Sequence, residues 1–415
     1  MNSTREPDSA RGQAAKARRP VRFGGLRTAA GVVAAVIGLL ISYLALGNLV
    51  PAGESVFTLA PTYVWANFAP QLVVVSLLGV LLCVPLWLAR HRPVLRGTAS
   101  VLVIIGLVAS VTITASLLTA ASREGGSVNL ARALTLSSPL RVPDEIATYV
   151  TVDGQPQEAR IHVPDSGADG APVLMYIHGG GWYMGAAATD DKTASWYASQ
   201  GWYVVNVDYR LSGADYPTWD KAPQDVACAL SWTARKAGLA GADTDRLTVM
   251  GDSAGGHLAM LLGWSSAAGA AVSSCPEAGG VPVPDAVVAG YPVGDLTYTY
   301  DNGAAPLGIG PKDFTRDFLG GTPAEQPERL AAVSPSTYIG PSAPPTLVLQ
   351  PERDDFIPAE GNYRLVEQAQ DAGAEVTLAD VPFAYHGFDS FQGSIGGQLR
   401  NTVIRHWLQE QNLAP

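Results

Sequence analysis

Cysteine is scarce in this chain, and charge is missing from long parts of it. Three cysteines among 415 residues are too few for a disulfide framework, and Cys83, Cys228 and Cys275 match no zinc-site spacing, so no structural metal is implied. Cys83 lies inside an apolar run. Cys228 and Cys275 admit two readings, a bridge if this part of the chain lies outside a membrane, or two buried thiols. Basic residues are few beyond the first third: residues 1–121 hold ten Lys and Arg against three Asp and Glu, the remainder 17 against 34. An acidic globular part lacks the basic face that phosphate binding needs, which excludes nucleic acid as a partner.

Charge is absent altogether from three apolar runs, Thr28 to Val50, Ser55 to Ala89 and Gly97 to Ser122. Each exceeds the roughly 20 residues that cross a bilayer. Pro61 and Pro70 predict that the middle helix starts late, with Gln71 to Ala89 as its core and the upstream stretch at the interface. The competing reading of the first run is a cleaved signal peptide; two further runs and the lack of a small-residue cleavage site after Val50 favour retained helices. Arg5, Arg11, Lys16, Arg18, Arg19, Arg22 and Arg27 precede the first span, and Arg90, Arg92 and Arg96 separate the second from the third. The loop between the first two carries only Glu54. The positive-inside rule therefore predicts a cytoplasmic membrane protein with a cytoplasmic N-terminus and everything after Ser122 extracytoplasmic. No ionisable residue interrupts the cores, so the helices read as an anchor in the lipid bilayer rather than a transporter.

The expected organisation is a basic tail (1–27), three transmembrane helices (28–122), a linker (123–145) and a catalytic domain (146–415). Within the last, short apolar strands alternate with helix-like stretches: Val173 to Ile177, Tyr203 to Val207, Leu247 to Met250, Ala286 to Ala289, Thr346 to Leu349 and Val376 to Val381. Thr148 to Val152 and Ala159 to Val163, on either side of Asp153 and Gly154, predict an antiparallel hairpin at one edge. The fold class is α/β, a mostly parallel, doubly wound sheet preceded by an all-α membrane segment. Chemistry belongs at the carboxyl ends of such strands.

After Met250 comes Gly251-Asp252-Ser253-Ala254-Gly255, a GxSxG pentapeptide before a helix-like run. A nucleophilic serine on a sharp strand-to-helix turn needs small neighbours to permit the strained backbone. After Ile177 comes His178-Gly179-Gly180-Gly181-Trp182, a run whose exposed amides suit a developing oxyanion and which lacks the lysine and hydroxyl of a phosphate loop. Trp182 and Tyr183 are candidate walls of a substrate pocket, with simple packing as the alternative.

HGGGW, then VVNVDYRLS from Val204 to Ser212, then GDSAG, resembles the esterase and lipase families related to hormone-sensitive lipase and to bacterial acetyl esterases of the BD-FAE kind. The likeness runs from about Val173 to Trp407 and includes Asp317 to Ser334; the membrane segment lies outside it. It implies an α/β-hydrolase fold and a serine carboxylesterase needing no cofactor and no metal, acting on a small-molecule ester. Of the histidines at 91, 162, 178, 257, 386 and 406, the chain order of that fold selects His386, in Tyr385-His386-Gly387-Phe388, as the base. His257, one turn after Ser253, is expected to pack or cap, and His406 to lie on a terminal helix. The acid stands among Glu352, Asp354 and Asp355; the family places an aspartate four residues before a proline, which selects Asp354 by Pro358, with Asp355 as the alternative. Pro351 replaces a common family glycine there. The resemblance also implies that the amides of Gly180, Gly181 and Ala254 hold the oxyanion. Asp208 and Arg210 of the DYR motif are expected to be structural, in a buried ion pair.

A short insertion after Ala289 predicts an open site, which a helical cap from residues 122–145 would narrow. Two other functions use the same motifs: an acyltransferase that passes the acyl group to an envelope hydroxyl, and a catalytically silent scaffold.

Overall fold

Alternate residues of one central strand point into two different cores, and this organises the molecule. In the computed structural model, which describes residues 23–415 except 52, 54, 91, 139, 276–279 and 307, Val173, Met175 and Ile177 face one apolar cluster, while Leu174 and Tyr176 face another. The period of two along a strand buried on both sides produces this split. The basic residues up to Arg22, and Glu54, lie outside the described residues.

The sheet has eight strands: β1 (Glu145–Val152), β2 (Gln155–His162), β3 (Pro172–Ile177), β4 (Tyr203–Val207), β5 (Asp243–Asp252), β6 (Ala286–Gly290), β7 (Thr346–Pro351) and β8 (Val376–Val381). Their order is β1-β2-β4-β3-β5-β6-β7-β8. β1, β2 and β4 pair antiparallel and the rest parallel. Asp153 and Gly154, at φ 53° and 75°, form the two-residue turn of the edge hairpin. Helices α6 (Ala222–Leu239), α7 (Ala254–Ala267) and α11 (Ala359–Asp371) cover one face; α5 (Asp191–Ser199) and α12 (Ile395–Glu410) cover the other.

Three long apolar helices precede the sheet, α1 (Gly24–Gly47), α2 (Val56–Leu88) and α3 (Pro93–Arg123). They approach through small residues: a Cβ on Gly38 would come within 2.5 Å of the Val103 backbone nitrogen. The late start expected for the middle helix is not found. α2 is continuous through Pro61, Pro70 and Pro85. Pro61 lacks an N–H for the Phe57 carbonyl, and the Tyr43 hydroxyl of α1 donates to that carbonyl instead. A neighbouring helix thus supplies the bond that the ring removes.

The three apolar helices share a core with the α/β domain. Ile41, Leu44, Trp65, Ala69 and Leu117 pack in one cluster with Leu399 and Val403 of α12. The segment between α3 and β1 is ordered against both, with a short helix α4 (Leu130–Thr135). The Asn129 amide donates to Gln398 Oε1 at 2.8 Å, and Gln71 Nε2 donates to the Ala133 carbonyl at 2.8 Å. This segment does not border the cavity at the carboxyl ends of the strands, beside Ser253 and His386, so the cap expected from residues 122–145 is absent there. The short insertion expected after Ala289 is also overturned. Residues 291–345 carry α8 (Leu296–Asn302), α9 (Pro311–Leu319) and α10 (Pro327–Val333), and Phe314 of α9 borders the cavity.

Candidate active site

Ser253 occupies the turn between β5 and α7 at φ 56° and ψ −121°, a conformation costing about 1–3 kcal/mol for a residue with a side chain. Two glycines make the turn possible. A Cβ on Gly255 would fall 2.1 Å from the Ile177 carbonyl oxygen, and one on Gly251 would fall 2.3 Å from that of Gly255. The Ser253 amide donates to the Gly290 carbonyl at 2.8 Å, which ties the turn to β6.

The structure brings Ser253, His386 and Asp354 together. His386 Nε2 lies 3.0 Å from Ser253 Oγ, and its Nδ1 lies 2.8 Å from Asp354 Oδ2. The Asp354 carboxylate is buried, and its other oxygen accepts the Ile357 amide at 2.9 Å. With Nδ1–H committed to a carboxylate, Nε2 is the free lone pair facing the serine. The loops holding the two groups are joined, since the Arg353 amide donates to the Ala384 carbonyl at 2.9 Å. Tyr291 and Phe356 flank the imidazole, with ring centroids at 4.7 Å and 5.0 Å. Asp355 points elsewhere, its Oδ2 accepting the Gly53 amide of the α1–α2 loop at 2.8 Å.

Gly180 and Gly181, at φ 117° and 58°, border the same cavity as Ser253. A side chain on Gly180 would strike the Met184 carbonyl oxygen, at 2.0 Å from its Cβ. Ala254 is the first residue of α7, and the N–H groups of a helix's first turn have no carbonyl within the helix to bond. The cavity measures about 570 Å³. Tyr183 borders it and stacks on Phe314. Trp182 does not. It is fully buried, lies parallel to Phe318 at 4.4 Å and meets His257 edge-on at 5.1 Å. A φ of 59° turns its backbone, so the residue after the glycine run belongs to the core.

Among the described residues, His257, His178 and His406 each have partners other than Ser253. His257 Nε2 donates to the Val333 carbonyl at 2.7 Å, and burial pushes the ring's pKa down to about 4. His178 stacks on Tyr209 at 4.3 Å, and His406 sits near Glu410 on α12. Arg210 forms its buried ion pair with Asp225 at 2.7 Å, whereas Asp208 accepts the Ala187 amide at 2.6 Å.

Two polar features went unseen in the sequence. Asp190 borders the cavity, and its pKa is pushed up to about 8, first by burial and then by the negative charge of Asp252. The second is a network beneath Ser253. Arg400 of α12 donates to both oxygens of Asp252, at 2.9 Å and 2.7 Å, and pairs with Asp389 at 2.9 Å. Tyr176 donates to Asp252, and Tyr291 to Asp389 at 2.7 Å. Each aspartate follows the pattern of neither a ligand nor a nucleophile, and a mid-helix arginine reads as solvent-facing. Among the described residues, no group of His, Cys, Asp and Glu has the arrangement of a metal site.

Comparison with known proteins agrees with the fold. The family model BD-FAE matches residues 160–368. The chain is 31% identical over 236 residues to Esterase LipC of Mycobacterium tuberculosis, covering 56% of this chain and 57% of that protein. It is 34% identical over 147 residues to Carboxylesterase NlhH of the same species, covering 34% and 44%. The chain thus spans about half the length of the curated relatives it matches. Among solved structures, the apo form of Thermogutta terrifontis esterase 2 superposes with a TM-score of 0.54 at 22% identity, covering 67% of this chain and 97% of that one, which establishes a shared fold.

Proposed function

This chain belongs to the BD-FAE family, and from that membership we propose that it is a membrane-anchored serine carboxylesterase cleaving esters of small acyl groups. The observation that carries the reading is the pair of hydrogen bonds linking Ser253, His386 and Asp354, at 3.0 Å and 2.8 Å. His386 Nε2 takes the hydroxyl proton as Ser253 Oγ attacks the ester carbonyl, and Asp354 steadies the imidazolium. The amides of Gly180, Gly181 and Ala254 receive the oxyanion, each such donor lowering the barrier by roughly 3 kcal/mol. The protonated imidazole then hands its proton to the leaving oxygen, and water activated by His386 releases the acid.

The helices act as the anchor, with the hydrolase on the outer side of the cytoplasmic membrane. Arg90, Arg92 and Arg96 cluster at the α2–α3 turn, the end of the hairpin remote from the hydrolase, as a cytoplasmic loop would. The disulfide between Cys228 and Cys275, with Cα atoms 5.3 Å apart, supports an oxidising compartment.

The test is hydrolysis of p-nitrophenyl acetate and butyrate by the full chain in detergent, beside Ser253→Ala. Turnover lost in the variant, together with fluorophosphonate labelling of Ser253, is the expected result. A folded chain with neither turnover nor label would refute the reading. Added alcohol that raises turnover would instead identify an acyltransferase.

A further inference from the structure

The wall of the catalytic cavity is also the wall of a second one. A cleft of about 370 Å³ is bordered by Leu59 and Tyr63 of α2, Ile309 of the α8–α9 connection, and Tyr183, Phe356 and His386. The last three also border the catalytic cavity, so the two spaces meet at those side chains. A helix long and apolar enough to cross a membrane therefore contributes to the surroundings of the catalytic base.

The level of this cleft relative to the bilayer follows from α1. The stretch from Thr28, just after Arg27, to Gly47 has 20 residues, and at about 1.5 Å per residue it spans about 30 Å, the thickness of the hydrocarbon. α1 thus ends at the outer boundary of the acyl chains. Pro61 of α2 meets it there: a Cβ on Gly47 would lie 2.5 Å from the Pro61 ring, and Asn48 Nδ2 donates to the Pro61 carbonyl at 3.1 Å. Leu59 and Tyr63 stand two residues to either side of Pro61. Near the same level, Leu46, Val56 and Phe57 are exposed at 63%, 51% and 76%, a surface suited to lipid and not to water.

We propose that this cleft admits the hydrocarbon tail of an ester dwelling in the outer leaflet, with the tail on the alcohol side of the ester bond. The proposal rests on the esterase reading above. His386 is the triad member that borders the cleft, and it is the group that must protonate the leaving oxygen. As the bond from Ser253 Oγ to the acyl carbon forms and the bond from that carbon to the alkoxy oxygen breaks, the proton on His386 Nε2 passes to the alkoxy oxygen. The lipid alcohol then withdraws to the leaflet. The short acyl group stays on Ser253, in the cavity that Asp190 and Lys192 border, until water removes it.

The full chain in phospholipid nanodiscs tests this with dodecyl acetate, ethyl acetate and ethyl dodecanoate, using Leu59→Trp and Ile309→Trp, one from each wall. The ratio of kcat/KM for dodecyl acetate to that for ethyl acetate is expected to fall at least tenfold in both variants. This ratio does not depend on the fraction of protein that folds. The corresponding ratio for ethyl dodecanoate is expected to hold. An unchanged dodecyl acetate ratio overturns the proposal, and a fall confined to ethyl dodecanoate overturns the assignment to the alcohol side. If the parent chain cleaves none of the three, the esterase reading fails, and the cleft is judged separately by photo-crosslinking with a diazirine-tailed long-chain alcohol. Labelling of the peptide containing Ile309, lost in Leu59→Trp, supports occupancy of the cleft; no label on that peptide overturns it. The same readout decides for a variant inactive on all three esters.

Discussion

Arg400 reaches from the middle of α12 to Asp252, the residue immediately before Ser253, with Nη2 2.7 Å from Oδ2. The guanidinium is almost wholly buried, as is Asp389 on its other side. It is the cation shared by two carboxylates that have left water, and it fixes the elbow from below. Replacing it with methionine keeps the volume and strands both charges. Arg400→Met is expected to destabilise the fold by roughly 3–5 kcal/mol, read as a lowered midpoint of thermal unfolding in detergent. A midpoint equal to the parent's would mean that the network contributes nothing to stability.

The two aspartates of the acid loop separate cleanly by substitution. Asp354→Asn leaves His386 without the carboxylate that holds its tautomer, and kcat for p-nitrophenyl acetate is expected to drop by about 10⁴-fold. Asp355→Asn alters a contact to the α1–α2 loop and is expected to keep kcat within about threefold of the parent. The opposite ranking would move the acid to Asp355.

His257 gives the fold a pH dependence. Its ring is held neutral by burial, with its pKa brought from the ordinary 6.5 down to about 4. Between those values the unfolded chain binds a proton that the native state refuses. Stability from this group is therefore complete above pH 6.5 and lost as pH falls toward 4, by roughly 3 kcal/mol in all. His257→Gln is expected to flatten the decline in unfolding midpoint between pH 6.5 and 4.5. An unchanged slope would assign the acid sensitivity to other groups.

The Cys228–Cys275 bridge joins α6 to the segment after α7 across 47 residues. Opening it is expected to cost roughly 2–4 kcal/mol through the freedom returned to the unfolded chain. Thermal inactivation with and without dithiothreitol, compared with a Cys228→Ser, Cys275→Ser double variant, measures this. Reductant that shifts the parent and leaves the double variant unmoved is the expected pattern.

Much of the hydrolase was legible because it is local. Six strands, the hairpin at Asp153 and Gly154, and the elbow around Ser253 each rest on a few adjacent residues whose backbone demands are readable. Asp354 was reachable through its distance from Pro358. What stayed hidden depends on partners far along the chain. The proline rule that shortened α2 holds for an isolated helix, and at Pro61 it failed where Tyr43 supplies a donor from another one. Trp182 stands beside the oxyanion loop in sequence and inside the core in space, a difference made by one positive φ. Arg400 lies 148 residues from Asp252, and no local pattern pairs them. The cleft that Leu59 and Tyr63 of α2 border together with His386 is of the same kind, since an apolar run carries no mark of which of its side chains face the domain beyond it.

The shared core of α12 with α1, α2 and α3 also sets an order of events at birth. The three apolar helices precede α12 by more than 270 residues of synthesis, so the faces they share with it wait for it before either is covered. Arg400 arrives with that helix, and the Asp252 carboxylate stays uncompensated until it does. A nascent chain halted before α12 would already hold Ser253, His386 and Asp354, yet Asp252, next to the serine, would lack the guanidinium that pairs with it.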